Sequence, residues 1–400
     1  MSESFNHQEK VKKLSLRSSL MLWFLVLSIV PLGLVSWLGF QQAEQELNEL
    51  VNNQLEQSTN FKSKLIEAWF DDRFKSLNSY AEANLSTKLL TSLKEGYAVS
   101  NKPLNEYVKS YDWIKRVDDF QSDLVSFHKR FDYIYNIFLV DLAGNILYSV
   151  EDNNDRGTNV FQGEGPYVGT LFSEALKVTL GSGVSKLSGL ERIESEELLF
   201  VSLNAPVINQ VGDKIGAISI QLSLDHIFSL IQPSSNRDQT QQYLLNKSND
   251  LLTPVNDDWS EVLSRKIMMH KLNEPANYSD QIIEVKNYIG PRGEAVLGLS
   301  KLLKIQDVDW FLISEENQKI AFSYTELLAK VIFTSLLITV LVVVFIAFTL
   351  SRRITKPIIA LADASRNAAD GNIAQELEIS DYEELAHMGR AFNHMLDVRS

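Results

Sequence analysis

The chain has 400 residues, of which 45% are hydrophobic and 22% are charged, a composition typical of globular proteins. It contains no cysteine, which excludes disulfide bridges, thiolate metal sites and a cysteine nucleophile. The 51 Asp and Glu residues outnumber the 38 Lys and Arg residues, and the net charge of −13 argues against a nucleic-acid partner.

Two uncharged apolar runs, residues 20–40 and 331–351, are each 21 residues long. At about 1.5 Å per residue, a helix of this length covers about 31 Å, the thickness of one hydrocarbon core. The first run is too long for a signal peptide and no small-residue cleavage site follows it, so an uncleaved anchor is favoured. The second run has no polar face, which disfavours a buried core helix. The sequence therefore predicts two transmembrane helices.

Basic residues lie outside both runs, with Arg17 before the first run and Arg352 and Arg353 after the second. The positive-inside rule therefore places both ends in the cytoplasm. Residues 1–19 form a cytoplasmic tail in this topology, and residues 41–329 lie outside the membrane. This external part has 27 basic and 41 acidic residues, a net charge of −14.

The external part begins with 55 residues, 41–95, that contain neither glycine nor proline, a pattern that indicates a long helix. One interpretation is that this helix packs on its own domain. The other is that it pairs with a second subunit, and both can hold together. A second helical stretch is predicted over 105–130. The apolar residues at roughly helical spacing on the long helix are Leu47, Leu50, Val51, Leu55, Phe61, Leu65, Trp69 and Leu77.

After residue 130 the pattern changes to short β-branched and aromatic runs separated by turn residues, which indicates two mixed modules. We therefore predict an α+β fold, with one long helix followed by two modules that each contain an antiparallel sheet. The first module is predicted to contain strands 133–140 and 146–150, helix 172–180, strands 198–208 and 214–222, and helix 225–231. The second is predicted to contain strand 242–245, a turn at 246–250, strand 251–253, helix 258–270 and strands 281–288, 295–302 and 310–315.

Three segments of the external part carry recognisable patterns: YIYNIFLVDLAGNILYSVEDNNDRGTNV with the following Gly165-Pro-Tyr167, LLFVSLNAPVINQVGDKIGAISIQL, and IGPRGEAVLGLSKLLKIQDVDWFLISEEN. Together they resemble a double Cache domain, the extracytoplasmic ligand-binding part of many bacterial receptors. The resemblance implies two PAS-like modules, a membrane-distal one over about 100–230 and a membrane-proximal one over about 231–325. It also implies that the distal module holds a small molecule.

The resemblance identifies four pocket residues by position, for each of which ordinary packing is the alternative: Tyr135, Tyr148, Tyr167 and Asn204. Amino-acid-binding members carry an Arg-x-Trp-Tyr cluster before the first hairpin. This sequence has Arg130 followed by Tyr133 and Tyr135 without a Trp-Tyr pair, which disfavours an amino-acid ligand. The identity of the ligand stays open.

The last part of the chain, residues 352–400, is predicted to form two short helices joined by a connector. The helices carry apolar residues at steps of three and four, including Leu385, Met388 and Phe392 in the second helix, which is the pattern of a parallel bundle. This part of the chain resembles a HAMP domain, and the resemblance implies a signal-relay role for six residues: Pro357, Gly371, Glu384, Leu385, Met388 and Phe392. The connector between the helices has its own apolar residues, Ile373, Leu377 and Ile379.

No nucleotide-binding, metalloprotease, hydrolase-elbow or kinase motif is present, and no cofactor is expected. The six histidines include no pair at ligand spacing, so no metal site is expected. The acidic segment Glu191–Glu197 could bind a cation, but a solvated loop is the favoured interpretation.

Together these features predict a homodimeric receptor of the bacterial inner membrane whose periplasmic domain binds a small molecule. The signal would pass to a cytoplasmic output module beyond residue 400, with a histidine kinase slightly favoured and a chemotaxis receptor or diguanylate cyclase as alternatives. Its signalling partner would be a response regulator or a chemotaxis kinase complex. A stand-alone membrane adaptor is the rival interpretation.

Overall fold

The computed structural model describes residues 16–118, 120–151, 154–193, 198–232, 240–267, 283–370 and 382–399. The chain divides into two compact units. One unit is Leu50–Ala321, and the other combines Met1–Glu49 with Phe322–Ser400. Among the described residues, two helices are long and apolar enough to cross a membrane, and they contain the two predicted spans.

Helix α1 (Leu16–Glu82) is continuous through the first apolar run and into the predicted long helix. It ends because Ala83 adopts an extended conformation, and α2 (Asn84–Ser100) starts immediately afterwards. The Ser86 hydroxyl donates to the Tyr80 carbonyl at this break, 2.7 Å away. Residues 41–95 are therefore helical as predicted, except that Ala83 divides the predicted helix into α1 and α2.

The faces of α1 differ in their exposure within the chain. Leu55 and Leu77 are fully buried within the Leu50–Ala321 unit. Leu50 and Phe61, by contrast, are more than 60% exposed, and Leu65 is also exposed. One face of the helix therefore packs on its own domain, while apolar side chains remain on another face.

The predicted helix over 105–130 is instead three short helices, α3 (Leu104–Tyr107), α4 (Tyr111–Asp118) and α5 (Gln121–Arg130). The breaks allow two large aromatic side chains to point inward. The Tyr107 hydroxyl donates to the Leu93 carbonyl, and Trp113 Nε1 donates to the Leu147 carbonyl at 2.8 Å.

The distal module contains an antiparallel sheet in the order β2-β1-β6-β5-β3, with β4 also paired to β5. Both predicted hairpins are present. One face of this sheet packs against the helices that precede it, and the other is covered by α6 and the chain before it. The elements are β1 (Ile134–Asp141), β2 (Ile146–Ser149), α6 (Leu171–Ser182), β3 (Lys186–Leu187), β4 (Glu191–Ile193), β5 (Leu198–Ile208), β6 (Lys214–Leu222) and α7 (Asp225–Ile231).

The proximal module contains a second antiparallel sheet in the order β7-β10-β9-β8. Its last strand continues into the short helix α8 (Gln318–Ala321). The strands are β7 (Gln241–Asn246), β8 (Ile283–Ile289), β9 (Ala295–Leu302) and β10 (Trp310–Asn317).

The helix predicted over 258–270 is wrong for the residues that the structure describes there, 258–267. Only a 3-10 turn, Trp259–Glu261, forms. Leu263 then adopts a positive φ of 62°, which an α-helix does not permit, and its amide bonds to the Leu251 carbonyl. The predicted strand 251–253 is only an isolated bridge, because the Thr253 hydroxyl accepts the Leu244 amide that a strand carbonyl would otherwise bind.

The second unit contains α9 (Ser323–Ala369) and α10 (Glu383–Arg399), which contact each other. Helix α9 runs without interruption from the second apolar run through Pro357. The structure thus confirms the α+β class, with a long N-terminal helix, two antiparallel sheets and C-terminal helices.

Candidate ligand-binding site

One face of the distal sheet carries five polar side chains, which we call the polar cluster: Asn136, Ser202, Asn204, Ser219 and Gln221. They lie on three adjacent strands, because Asn136 is opposite Gln221 across β1 and β6, and Asn204 is opposite Ser219 across β5 and β6. All five are fully buried. Burying polar groups is costly unless they are hydrogen-bonded, so this cluster must be satisfied by specific partners.

Tyr167 connects the polar cluster to the chain that covers it. Its hydroxyl donates to Asp155 Oδ2 at 2.9 Å and accepts a hydrogen bond from Gln221 Nε2 at 3.2 Å. The ring packs edge-on against Phe138 and Phe172 in a small apolar core. Gln221 Oε1 is buried and has no hydrogen-bond partner among the described residues. The site therefore combines apolar walls with an acceptor that a donor group on a ligand could use.

Asn204 lies on the same sheet face, in the middle of β5. Its Oδ1 accepts a hydrogen bond from the Ser219 hydroxyl, and its Nδ2 donates to the Lys186 carbonyl at 3.2 Å. A ligand at this face would compete with or extend these bonds. The structure thus brings Tyr167 and Asn204, two of the four predicted pocket residues, to one face of one sheet.

The other two predicted pocket residues lie elsewhere. Tyr148 belongs to the core on the opposite face of the sheet, where its ring stacks on Trp113 with centroids 6.3 Å apart. Burial raises the pKa of Tyr148 to about 12, and nearby Arg156 opposes this shift. Tyr135 is partly buried at an irregularity in the pairing of β1 with β6, and its carbonyl lies 3.2 Å from His128 Nε2.

The residues compared with the amino-acid-binding cluster do not converge either. Arg130 is exposed at the end of α5. Tyr133 instead lies under Arg73, whose guanidinium carbon is 4.3 Å from the ring centroid and 4.9 Å from that of Trp69. Sequence reasoning could not find Arg73, because it lies on α1, 60 residues from Tyr133 in the chain.

The solvated-loop interpretation is wrong for Glu191, the first residue of the acidic segment, which lies in strand β4. Its carboxylate is buried and accepts the backbone amides of Leu171 and Phe172, both at 2.8 Å, at the start of α6. Burial raises the pKa of Glu191, although these two amides lower it. Residues 194–197 of this segment lie outside the described residues. Within the described ranges, no group of three or more metal-binding side chains is present.

Sequence reasoning missed Asp155 and Gln221 as site residues. Asp155 lies in the chain between β2 and α6, where no regular pattern marks it. A signal for Gln221 existed in β6, where Ala217, Ser219 and Gln221 alternate with three larger aliphatic residues. Such alternation within a buried strand distinguishes a polar-lined face from an apolar one.

The predicted relay residues fall on α9 and α10, except Gly371. Gly371 and the connector residues Ile373, Leu377 and Ile379 lie outside the described residues. In α10, Phe392 is buried within the chain, whereas Met388 is 50% exposed and Glu384 is exposed. Leu385 is partly buried, and Pro357 lies inside α9. The buried face of α10 consists of Ala386, Gly389, Phe392 and Leu396.

Residues 349–398 match the HAMP domain family, which confirms that prediction. No curated protein matches the chain. Solved structures that resemble this chain include ligand-binding domains of chemoreceptors. The domain of the Pseudomonas fluorescens chemoreceptor CtaA with L-isoleucine has 16% identity and a TM-score of 0.45, over 70% of this chain and 98% of that one.

The domain of the Pseudomonas aeruginosa amino acid chemoreceptor PctB with L-Arg has 14% identity and a TM-score of 0.44, over 68% of this chain and 98% of that one. An extracellular ligand binding receptor from Desulfohalobium retbaense has 13% identity and a TM-score of 0.42, over 66% of this chain. This chain spans only 40% of the length of that receptor.

Proposed function

We propose that this chain is the sensory and transmembrane part of a dimeric receptor of the bacterial inner membrane. The observation that carries the proposal is the HAMP match at residues 349–398, which begins where the second apolar run ends. A HAMP region at that position couples a unit outside the membrane to a module inside it. In this proposal residues 41–329 are periplasmic, and residues 20–40 and 331–351 span the membrane.

The ligand of the proposed receptor is a small molecule bound by the distal module, about residues 100–230. The polar cluster supports this location, because it places hydrogen-bonding groups on an otherwise apolar buried face, the usual composition of a small-molecule site. Tyr167 and Asn204 are the proposed ligand contacts, joined by Gln221 through its unpartnered Oε1. Tyr135 and Tyr148 would act on this site only through the sheet.

The proposed dimer uses the exposed face of α1 outside the membrane. Leu50 and Phe61 are 61% and 63% exposed, and Leu65 is 37% exposed. Exposed apolar side chains on one long helix are what a parallel partner helix would cover. Ligand binding would shift membrane helices by about 1–2 Å, and HAMP helices would exchange between two packed arrangements.

The test joins residues 1–400 in frame to the kinase module of a characterised HAMP-containing receptor and measures phosphorylation in membrane vesicles against a panel of metabolites. We expect at least one metabolite to change the phosphorylation rate. Tyr167→Phe should weaken this response, whereas the matched control, Val211→Ala at an 85% exposed turn residue, should not.

A chimera that is expressed, inserted and active but unresponsive to every metabolite would contradict the receptor proposal. It would instead favour the rival membrane adaptor, which signals through a partner. A histidine kinase is the output module that we favour, with a response regulator as its partner. The alternatives are a chemotaxis receptor acting on a chemotaxis kinase complex, and a diguanylate cyclase.

A further inference from the structure

The proximal module buries a carboxylate between two tyrosines. Glu315 on β10 is 2% exposed, and its Oε1 accepts hydrogen bonds from the hydroxyls of Tyr243 and Tyr288 at 2.5 and 2.6 Å. Tyr243 comes from β7, which pairs with β10, and is itself fully buried. Two phenol donors on one oxygen fix the position of this carboxylate and favour its charged form.

Tyr288 reaches Glu315 from a strand that does not pair with β10. It lies on β8, and β9 separates the two strands. Gly298 on β9 is directly opposite Glu315, and a Cβ atom there would lie 2.2 Å from the Tyr288 hydroxyl. The absence of a side chain at Gly298 therefore allows the tyrosine ring to cross the middle strand.

The second oxygen of Glu315 differs from the first. The two hydrogen bonds that Tyr243 and Tyr288 donate to Glu315 both end on Oε1. Glu315 lines a cleft of about 320 Å³ together with Gly290, Arg292 and Glu294. A Cβ atom on Gly290 would lie 2.9 Å from Oε2, so this glycine keeps the space beside the oxygen open. A buried carboxylate that uses only half of its acceptors is costly unless a donor reaches the other half.

The charges around the cleft indicate which donor would fit. Arg292 is the only cationic side chain among its described lining residues, and it already donates to Asn256 Oδ1 at 2.9 Å and to the Val255 carbonyl at 3.1 Å. Glu294 adds a second carboxylate, which accepts a hydrogen bond of 2.5 Å from Asn317. The described lining therefore carries two carboxylates against one guanidinium.

We propose that this cleft is a second binding site, separate from the distal one, that takes a small primary amine. The ammonium group would donate to Glu315 Oε2, and the two tyrosines would hold the carboxylate in place. The volume is near the lower end of small-molecule pockets, about 300–1,000 Å³, so the amine must be short. This proposal does not require the distal module to bind anything.

The test uses the full chain in lipid nanodiscs and isothermal titration calorimetry with two probes of matched length, putrescine and 1,4-butanediol. We expect putrescine to bind and butanediol not to, because only the former carries ammonium groups. Glu315→Gln should weaken putrescine at least tenfold, since it removes the charge but keeps an acceptor for the tyrosines. Gly290→Ala should weaken it comparably by occupying the space beside Oε2.

Asp309→Asn is the matched control, because it removes an exposed carboxylate of the same module outside the cleft, and it should bind putrescine like the wild type. Thermal melting by circular dichroism checks that each variant is folded. If Glu315→Gln is unfolded, Gly290→Ala alone tests whether the cleft binds putrescine. The proposal is overturned if putrescine shows no binding at millimolar concentration, if both cleft variants bind it like the wild type, or if butanediol binds equally. Loss of putrescine binding in Tyr167→Phe but not in Glu315→Gln would assign the amine to the distal module instead.

Discussion

Tyr167 donates a hydrogen bond of 2.9 Å to Asp155, and both side chains are buried in the distal module. The bond ties together two points of the chain that covers the polar face of the sheet. Gln221 completes the connection by donating to the same hydroxyl from β6. One phenol thus links the covering chain to the sheet that it covers, at the proposed ligand site.

Tyr167→Phe should test this link with little change in packing. It removes the hydroxyl but keeps the ring against Phe138 and Phe172, so we expect a loss of about 1–3 kcal/mol in unfolding free energy. It should also weaken any ligand found for the distal module. Tyr167→Ala is a poorer test, because deleting a fully buried ring costs about 3–5 kcal/mol by itself. Urea denaturation and calorimetric titration measure the two effects; unchanged values for both would contradict the role given to this hydroxyl.

Glu191→Gln should destabilise the start of α6. The carboxylate accepts the amides of Leu171 and Phe172 on separate oxygens, and a glutamine has only one acceptor oxygen. Loss of one charged hydrogen bond at a helix N-terminus predicts about 1–2 kcal/mol at neutral pH. Hydrogen exchange at these two amides should accelerate. Glu174→Gln, an exposed change on the same helix, provides the comparison and should leave both amides protected.

Glu315 should give the proximal module a distinctive pH dependence. Burial raises its pKa above the ordinary 4.5, opposed by the hydroxyls of Tyr243 and Tyr288 and by the charge of Arg292. Between 4.5 and the raised value the folded protein holds more protons than the unfolded one, so its stability falls as pH rises.

The measurement is the unfolding free energy of the wild type minus that of Glu315→Gln, followed from pH 4.5 upward. This difference should decrease as pH rises through the folded-state pKa of Glu315 and then become constant. Asp309→Asn should track the wild type across the same range. A difference that increases with pH would mean that the site favours the ionised carboxylate over the protonated one, contrary to the burial argument.

Gly298→Ala should displace Tyr288 from Glu315. The new methyl group would lie within 2.6 Å of three atoms of the tyrosine ring and hydroxyl, so the side chain must move. We expect a loss of about 1–3 kcal/mol, as for other overpacked positions. In a Tyr288→Ala background the same change should cost much less, which a double-mutant cycle in urea would detect. Equal costs in both backgrounds would show that Gly298 is not required for this crossing.

Phe392→Asp should uncouple the output from the ligand. Phe392 is buried within the chain on α10, and an unpaired carboxylate there must be desolvated or must separate the helices. In the kinase chimera the variant should keep external binding but lose the phosphorylation response. Ala391→Asp, at the exposed neighbouring position, should respond normally. A normal response in Phe392→Asp would contradict the relay through this face of α10.

Burial within the single chain selects only part of the predicted helical seam in this region. The sequence spacing predicts that Leu385, Met388 and Phe392 share one seam of a parallel bundle. Within the chain the buried positions are instead Ala386, Gly389, Phe392 and Leu396, while Met388 and Met395 are about half exposed. Only Phe392 is common to both sets. Heptad spacing defines a stripe, but it does not define which edge of the stripe faces the neighbouring helix of the same chain.

The sequence by itself determined the features that depend on local composition. Two uncharged apolar runs determine two long helices, because the length and composition of a run are sufficient to identify it as a candidate membrane span. The hairpins of the distal module were also predictable, because Asp141 closes its own turn by accepting the amides of Ala143 and Asn145. The HAMP region was predicted from its resemblance to that family, which its sequence carries locally.

Tertiary structure alone decided which side chains meet. Tyr148 was predicted to line the pocket, but it lies on the opposite face of the sheet. The register of β1 with β2 shifts between Leu139, which is paired with Tyr148, and Val140. The group around Glu315 could not be foreseen, because Tyr243, Tyr288 and Glu315 come from three strands far apart in the chain. They meet only because the order β7-β10-β9-β8 inserts β9 between two of those strands, and Gly298 leaves the room to cross it. Strand order and register are set by the packing of the whole module, which no local pattern encodes.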